Sequence, residues 1–215
     1  MELYLIRHGE SANNRGDLPR VADPPLTELG IRQAERAGEA LKTERITRLY
    51  CSPMLRALHT GKIIGEAIGL PPHVLISVHE WGGIWEERNG GVVQLPGMTR
   101  SEMQEFCPNV VLPDTVTDDG WWFSEWQDDS ALTNAKETLA YLDENYRHTD
   151  ERVAIVWHGG SGASHISTFL DIPAPANYAQ FGQNNTGISR ITMTPTRTIL
   201  RCLNRVAHLG AEMIT

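Results

Sequence analysis

Three short apolar segments, each followed at once by polar residues or glycine, constrain the fold of this chain more than any other feature. They span residues 3–8, 48–52 and 153–158, and each has the length and composition of a buried β-strand. Amphipathic helical patterns lie between them. Alternating strands and helices predict an α/β fold with a mainly parallel central sheet that is covered on both faces, that is, a three-layer α/β/α sandwich.

Three helices and a hairpin are predicted around this sheet. Thr27 is placed to cap the first helix, residues 54–69 form the second up to Gly69 and the Pro71-Pro72 stop, and residues 130–147 form the third. Residues 188–194 and 198–206 are expected to form a hairpin at the edge of the sheet. The helix residues expected to face the core are Ile31, Ala34, Gly38, Leu41, Ala57, Ile63, Ile64, Ala67, Ile68, Leu132, Ala135, Leu139 and Leu142.

Residues 81–128 interrupt the alternation. With 215 residues the chain is predicted to form a single domain over 1–215, so this long segment lies inside it. The segment holds five of the six tryptophans, at positions 81, 85, 121, 122 and 126, together with many acidic residues. We expect it to be a lid or an inserted subdomain; the alternative is an insertion whose aromatic side chains fill a small core of their own.

Composition excludes several classes of partner. A formal net charge of −8 argues against nucleic acid and acidic membranes, and no apolar run approaches the roughly 20 residues that span a bilayer. The N-terminal residues are also unlike a signal peptide. The three cysteines lack zinc-type spacing, and Cys51 is expected to be a buried strand residue, so a cytoplasmic protein with free thiols is predicted. The histidines show no ligand spacing, and no metal is expected.

The residues that follow the three strands indicate a site for phosphate chemistry. Arg7 and His8 end the first segment, Arg56 lies in the first helical turn after the second, with Pro53 at its start, and His158 ends the third. A parallel sheet brings these ends to one edge, where ligands of open α/β sheets bind. Guanidinium groups suit phosphate oxygens, and a histidine side chain can act as a nucleophile near neutral pH.

Four motifs in this order resemble those of the histidine phosphatase superfamily, which has the phosphoglycerate mutase-like fold. The motifs are Arg7-His8-Gly9-Glu10-Ser11-x-x-Asn14, Pro25-Leu26-Thr27-Glu28-Leu29-Gly30-x-x-Gln33-Ala34, Ser52-Pro53-x-x-Arg56-Ala57-x-x-Thr60 and His158-Gly159. The resemblance covers most of the chain and is weakest across residues 81–128.

The resemblance implies specific roles. His8 is the nucleophile that becomes a phosphohistidine, and Arg7, Arg56 and His158 hold the phosphoryl oxygens. Asn14 contacts the transferring phosphate. We expect Gly159, which completes the last motif, to bind the substrate as well.

Elementary chemistry agrees with the role of His8. Two nearby guanidinium groups lower the pKa of the imidazole, which keeps one ring nitrogen unprotonated, and a backbone carbonyl can fix the tautomer through the other nitrogen. Phosphoryl transfer mainly requires positioning and neutralisation of charge. Two arginines and a histidine supply both, so no metal and no cofactor are expected.

The leaving oxygen still needs a proton. The family places a glutamate after the second helix, and Glu80 in Val78-His79-Glu80-Trp81-Gly82-Gly83 is the candidate, although the glycine comes one position early. Glu86 and Glu87 are rivals. His79 is expected to be structural or to form part of the pocket wall.

The sequence therefore predicts a phosphomonoesterase that hydrolyses a small phosphorylated metabolite through His8. The first alternative is a phosphoglycerate mutase-type phosphotransferase, disfavoured by the short segment 12–24, which lacks aromatic residues, and by the end of the chain soon after the last strand. The second is a phosphate-binding regulatory module without catalysis. A serine hydrolase built on Ser161 is disfavoured because Ala163 stands where that motif has glycine. The acidic, tryptophan-rich segment disfavours multiply charged substrates and suits an aromatic or sugar-like body.

Overall fold

A six-stranded sheet forms the centre of the molecule. The computed structural model describes residues 1–16, 20–122, 131–173 and 181–215. The strands are β1 (Glu2–Arg7), β2 (Arg48–Cys51), β3 (Pro72–Val74), β4 (Ile84–Arg88), β5 (Gly91–Leu95), β6 (Arg152–Trp157), β7 (Ile188–Met193) and β8 (Thr198–Arg205). Their order across the central sheet is β3-β2-β6-β1-β7-β8. β3, β2, β6 and β1 are parallel, whereas β7 and β8 run antiparallel at one edge. The mainly parallel sheet and the edge hairpin are therefore confirmed.

Helices cover both faces of this sheet, which confirms the three layers. They are α1 (Glu28–Leu41), α2 (Leu55–Ile68), α3 (Arg100–Phe106), α4 (Ala131–Tyr146) and α5 (Gly159–Phe169). Alternate residues of β1 belong to different cores, because side chains of a strand alternate between its faces. Tyr4 and Ile6 pack with residues of α1 and α2, whereas Leu3 and Leu5 pack with residues of α4 and α5.

The predicted helix ends are largely correct. Thr27 Oγ1 accepts a hydrogen bond of 3.0 Å from the backbone N–H of Gly30 and caps α1. Gly69, with φ of 75°, ends α2. The predicted position of Pro53 at the start of the second helix is wrong. α2 begins at Leu55, with Met54 as its N-cap, so the proline lies before the first turn.

The inward face of α4 also differs from the prediction. Leu132 is 37% exposed, and the buried positions of this helix include Asn134 and Thr138. Thr138 Oγ1 lies 3.1 Å from His165 Nε2 and 2.8 Å from Ser77 Oγ. Polar residues face inward here because they hydrogen-bond to polar partners, and a pattern that counts only apolar residues selects a neighbouring face.

Residues 81–122 hold the β4–β5 hairpin and α3. Asn89 and Gly90 form the hairpin turn, both with positive φ, as a tight two-residue turn requires. Trp121 and Trp122 are buried in the same core cluster as residues of β1, β2 and α2, so these two side chains join the main core and do not fill a separate one. That the segment acts as a lid stays a prediction. Trp126 and Glu125 lie outside the described residues, as does Ser130 of the predicted third helix.

All three cysteines are free thiols, and Cys51 is buried in β2 as predicted. Among the helices of the described ranges, none is both long and apolar enough to cross a membrane.

Candidate active site

A cavity of about 260 Å³ opens at the carboxyl ends of β1, β2 and β6. The predicted site residues that line it are Arg7, His8, Asn14, Arg56, Glu80 and Gly159. Each belongs to a strand end, or to a loop or first helical turn near one, so the parallel sheet brings these six residues together; His158, the seventh predicted residue, is not among those that line the cavity. A larger groove of about 550 Å³ lies at the opposite edge beside Met1 and Arg147, and holds none of the predicted site residues.

His8 is buried and held in one tautomer. Its Nδ1 lies 2.7 Å from the carbonyl oxygen of Gly9, which can only accept, so Nδ1 carries the proton. Its Nε2 is then the unprotonated nitrogen and accepts a hydrogen bond of 3.2 Å from Arg56 Nε. Burial, followed by the charges of Arg56 and Arg7, holds the pKa of His8 well below its ordinary value.

Arg56 is fixed by an acidic partner that the sequence analysis did not identify. Asp23 Oδ1 lies 3.7 Å from Arg56 Nη1, and both carboxylate oxygens accept from the backbone N–H of Leu55 at 3.1 Å. Burial raises the pKa of Asp23 to about 6, although Arg56 and the Leu55 N–H oppose that shift. Asp23 was missed because the loop 20–27 shows no periodic pattern.

Arg7 is held by the far end of the chain. Its Nη1 donates to the carbonyl oxygen of Gln183 at 2.6 Å. Its Nε is buried without a hydrogen-bond partner among the described residues, close to where Gly159 faces the cavity. A Cβ on Gly159 would lie 3.4 Å from Arg7 Nε. This donor is therefore available to an anion that enters the cavity.

His158 lies behind His8 and is fully buried. Its Nε2 is 2.8 Å from Ser52 Oγ, and the two imidazole rings are 5.2 Å apart. Burial, with the nearby charge of Arg56 as the next cause, holds the pKa of His158 well below its ordinary value. The ring is therefore neutral near pH 7, so it can contribute a hydrogen bond and not a positive charge.

Glu80 contacts the N-terminus of α5. Its carboxylate accepts hydrogen bonds from the backbone N–H groups of Gly160 at 3.1 Å and Ser161 at 2.6 Å. Backbone N–H groups at a helix N-terminus lack partners in the helix and favour negative charge. Of the three candidate glutamates, Glu80 alone is among the residues that line the cavity, whereas Glu86 and Glu87 lie on β4, with Glu86 paired to Arg88.

The remaining candidates are accounted for by local contacts. Asn14 Oδ1 accepts from the backbone N–H of Ser11 at 2.9 Å, so its amide group is fixed at the wall of the cavity. His79 is buried against Trp121 and Trp122, consistent with a structural residue.

Ser161 does not form a serine–histidine pair. The nearby His165 Nδ1 contacts the carbonyl oxygen of Ser161 at 2.8 Å, and the hydroxyl has no partner within the described part of the chain. Within those same residues, no group of three or more His, Cys, Asp or Glu side chains is arranged to hold a metal ion.

A buried histidine between two guanidinium groups, at the carboxyl edge of this sheet, defines a class of phosphoryl-transfer enzyme. Residues 3–206 match the model of the histidine phosphatase superfamily (branch 1). The chain belongs to this superfamily, and it is an enzyme of the histidine phosphatase type.

Individual relatives share most or part of the chain. This chain is 40% identical over 184 residues to an adenosylcobalamin/alpha-ribazole phosphatase of Salmonella typhimurium. The matched region covers 81% of this chain and 82% of that protein. The chain is 39% identical to a probable phosphoglycerate mutase of Yersinia pestis over 71 residues, 33% of each protein. The structure of the alpha-ribazole phosphatase from Shigella flexneri superposes with a TM-score of 0.67, at 25% identity, over 95% of this chain and 96% of that one.

Proposed function

We propose that this protein is a phosphomonoesterase in which His8 accepts the phosphoryl group of the substrate. The observation that carries the proposal is the state of His8. The Gly9 carbonyl fixes its proton on Nδ1, and Nε2 is left unprotonated beside Arg56. Because burial and two guanidinium groups lower its pKa, the nucleophilic form predominates near neutral pH.

The proposed reaction has two steps. In the first, which requires Glu80 to be protonated in the substrate complex, Nε2 of His8 attacks phosphorus, the P–N bond forms, the P–O bond to the leaving group breaks, and Glu80 gives its proton to the departing oxygen. In the second, water attacks the phosphohistidine, its proton passes to Glu80, the P–N bond breaks and inorganic phosphate leaves.

Charge neutralisation comes from the two arginines, since the backbone N–H groups of Gly160 and Ser161 at the start of α5 already donate to Glu80. Arg7 and Arg56 line the cavity with Gly159 and Gly160, the first residues of that helix. We assign the nonbridging phosphoryl oxygens to the guanidinium groups, with His158 as a neutral hydrogen-bonding neighbour and Asn14 at the wall. Removing one such electrostatic contact typically costs about 2.7–4 kcal/mol of barrier.

We further propose that the substrate carries a flat aromatic group on a sugar phosphate, as in alpha-ribazole phosphate. Two relatives are named for alpha-ribazole phosphatase activity. Trp81 and Trp85 are among the residues that line the cavity. Trp81 is 49% exposed, and an exposed indole ring favours stacking of an aromatic base, whereas the guanidinium of Arg20 lies over the Trp85 ring, with Cζ 4.0 Å from its centre.

The nucleophile is tested with His8→Ala on an aryl phosphate. We expect the variant to lose turnover, while His59→Ala, which changes a histidine packed on Phe106 away from the cavity, keeps it. Labelled substrate should leave acid-labile phosphate on the wild-type protein and none on His8→Ala. Activity that survives His8→Ala would overturn the assignment.

The substrate class is tested by comparing kcat/KM for alpha-ribazole phosphate, phosphoserine and 3-phosphoglycerate. We expect the first to rank highest and Trp81→Ala to reduce its advantage while an aliphatic phosphate is affected less. Phosphoglycerate should yield inorganic phosphate, if any product. Clean isomerisation would favour the mutase alternative, and equal effects of Trp81→Ala on all substrates would contradict stacking.

A further inference from the structure

Two buried side-chain amides hold the backbone on either side of Gly9. Gln33 of α1 accepts through Oε1 from the backbone N–H of Glu10 at 2.7 Å. Asn185 donates through Nδ2 to the carbonyl oxygen of His8 at 2.9 Å. Both amides are nearly inaccessible to solvent. The Gly9 carbonyl orients the imidazole of His8, so the two amides contribute to its orientation, together with Thr60 Oγ1, which accepts from the backbone N–H of Gly9 at 3.0 Å.

Thr215 connects the two amides behind the active site. Gln33 Nε2 donates to Thr215 Oγ1 at 3.0 Å and to the carbonyl oxygen of Met213 at 2.7 Å. Thr215 Oγ1 in turn donates to Asn185 Oδ1 at 3.2 Å, and the backbone N–H of Asn185 donates to the main-chain oxygen of Thr215 at 2.8 Å.

The hydrogen bonds through this hydroxyl have a single consistent direction. The Thr215 hydroxyl accepts from Gln33 Nε2, so the oxygen of that amide faces the backbone N–H of Glu10. It donates to Asn185 Oδ1, so the nitrogen of that amide faces the carbonyl oxygen of His8. A reversed Asn185 amide would place its oxygen against the carbonyl oxygen of His8, and it would leave the Thr215 hydroxyl proton without its acceptor, Asn185 Oδ1. The Thr215 hydroxyl therefore adds to the preference for the observed orientation of Asn185.

We infer that Thr215 is a positioning residue for the phosphoryl-transfer reaction, acting through Gln33 and Asn185 on the segment His8–Glu10. The inference rests on the proposed role of His8 as nucleophile. In this inference, residues 211–215 help to position the nucleophile from the side of the site that faces away from the substrate.

The test compares Thr215→Val, which removes only the hydroxyl, with Thr215→Ser, which keeps it. Thr215 lies at the surface, so neither change disturbs the core. Thr43→Val is the matched control, because the exposed Thr43 hydroxyl donates only to the carbonyl of Ala40. For Thr215→Val we expect kcat to fall about five- to tenfold with KM little changed, because the hydroxyl's two modest hydrogen bonds, from Gln33 and to Asn185, are both lost. Thr215→Ser and Thr43→Val should stay within about twofold of wild type.

Two further readouts distinguish positioning from a general structural role. Nitrogen NMR of His8 should show a single Nδ1–H tautomer in the wild type and a mixture in Thr215→Val. The double variant with Asn185→Ala should lose no more activity than Asn185→Ala alone, because both changes break one path. An unchanged His8 spectrum with wild-type kcat, or additive losses, would overturn the inference.

The NMR readout also separates this inference from the proposed function. If His8→Ala retains activity, the proposed function fails, but the tautomer of His8 still reports whether Thr215 orients its ring. If His8→Ala is inactive and Thr215→Val leaves the tautomer and kcat unchanged, only the positioning role fails.

Discussion

Replacing Glu80 with glutamine separates its contact with α5 from its proposed role as the proton donor. In the structure the carboxylate accepts two backbone N–H groups, from Gly160 and Ser161. Glutamine keeps one oxygen acceptor and presents an NH₂ group in place of the other, so one of the two bonds is lost together with the charge.

The structural cost follows from these contacts. A charge-assisted hydrogen bond contributes roughly 1.5–3 kcal/mol, and a negative charge at a helix N-terminus roughly 0.3–1 kcal/mol. Glu80 is only partly buried, so we take the lower end of the sum, about 2 kcal/mol. For a chain of this length that corresponds to a decrease in Tm of about 4–8 °C.

The catalytic cost depends on the leaving group. An alkoxide needs the proton, so kcat/KM for an alkyl phosphate should fall by roughly 10²–10⁴-fold, whereas an aryl phosphate with a good leaving group should change by less than about tenfold. The assay measures both substrates with wild type, Glu80→Gln and the matched variants Glu86→Gln and Glu87→Gln.

The outcome can refute the reasoning in two ways. Equal losses on both substrates would mean that Glu80 positions the substrate or α5 and does not donate the proton. No loss on either substrate, with a loss in Glu86→Gln or Glu87→Gln, would move the role to β4. A loss explained entirely by unfolding is recognised from the Tm, because the assay temperature then lies within the melting transition.

Packing and charge lead to three further predictions. The pKa of Asp23 is raised to about 6, so kcat/KM should fall as the pH drops through that value, because the carboxylate that faces Arg56 is then neutralised. Asp23→Asn should remove this pH dependence. A pH profile of Asp23→Asn identical to that of the wild type would contradict the prediction. Gly30→Ala should lower Tm strongly in thermal unfolding, since its Cβ would lie 2.0 Å from the Glu10 carbonyl oxygen, whereas Gly16→Ala, with open space around it, should not. Burial raises the pKa of the Cys51 thiol, so Cys51 should resist a thiol reagent until denaturant is added, as mass spectrometry of the labelled peptides would show.

Local signals in the sequence determine most of the fold. Strands β1, β2 and β6 are apolar runs of the length that parallel strands require, and the caps at Thr27 and Gly69 act through contacts within a few residues. The placement of Arg7 and His8 at a strand end is equally local. A parallel sheet then brings such ends together without further information, which is why the centre of the site could be predicted.

Tertiary structure alone decided the contacts between residues far apart in the chain. The sequence offered Glu80, Glu86 and Glu87, with Glu80 preferred through the family resemblance. Only the structure shows that Glu80 contacts the N-terminus of α5 while the other two lie on β4. Leu132 is exposed because polar partners of Thr138 select the buried face of α4. Asn185 donates to the carbonyl oxygen of His8 and Thr215 connects Asn185 with Gln33, although these residues are far from His8 in the chain, and no periodicity encodes such hydrogen bonds. These hydrogen bonds form only when packing excludes water, because each buried polar atom then needs a partner within the protein.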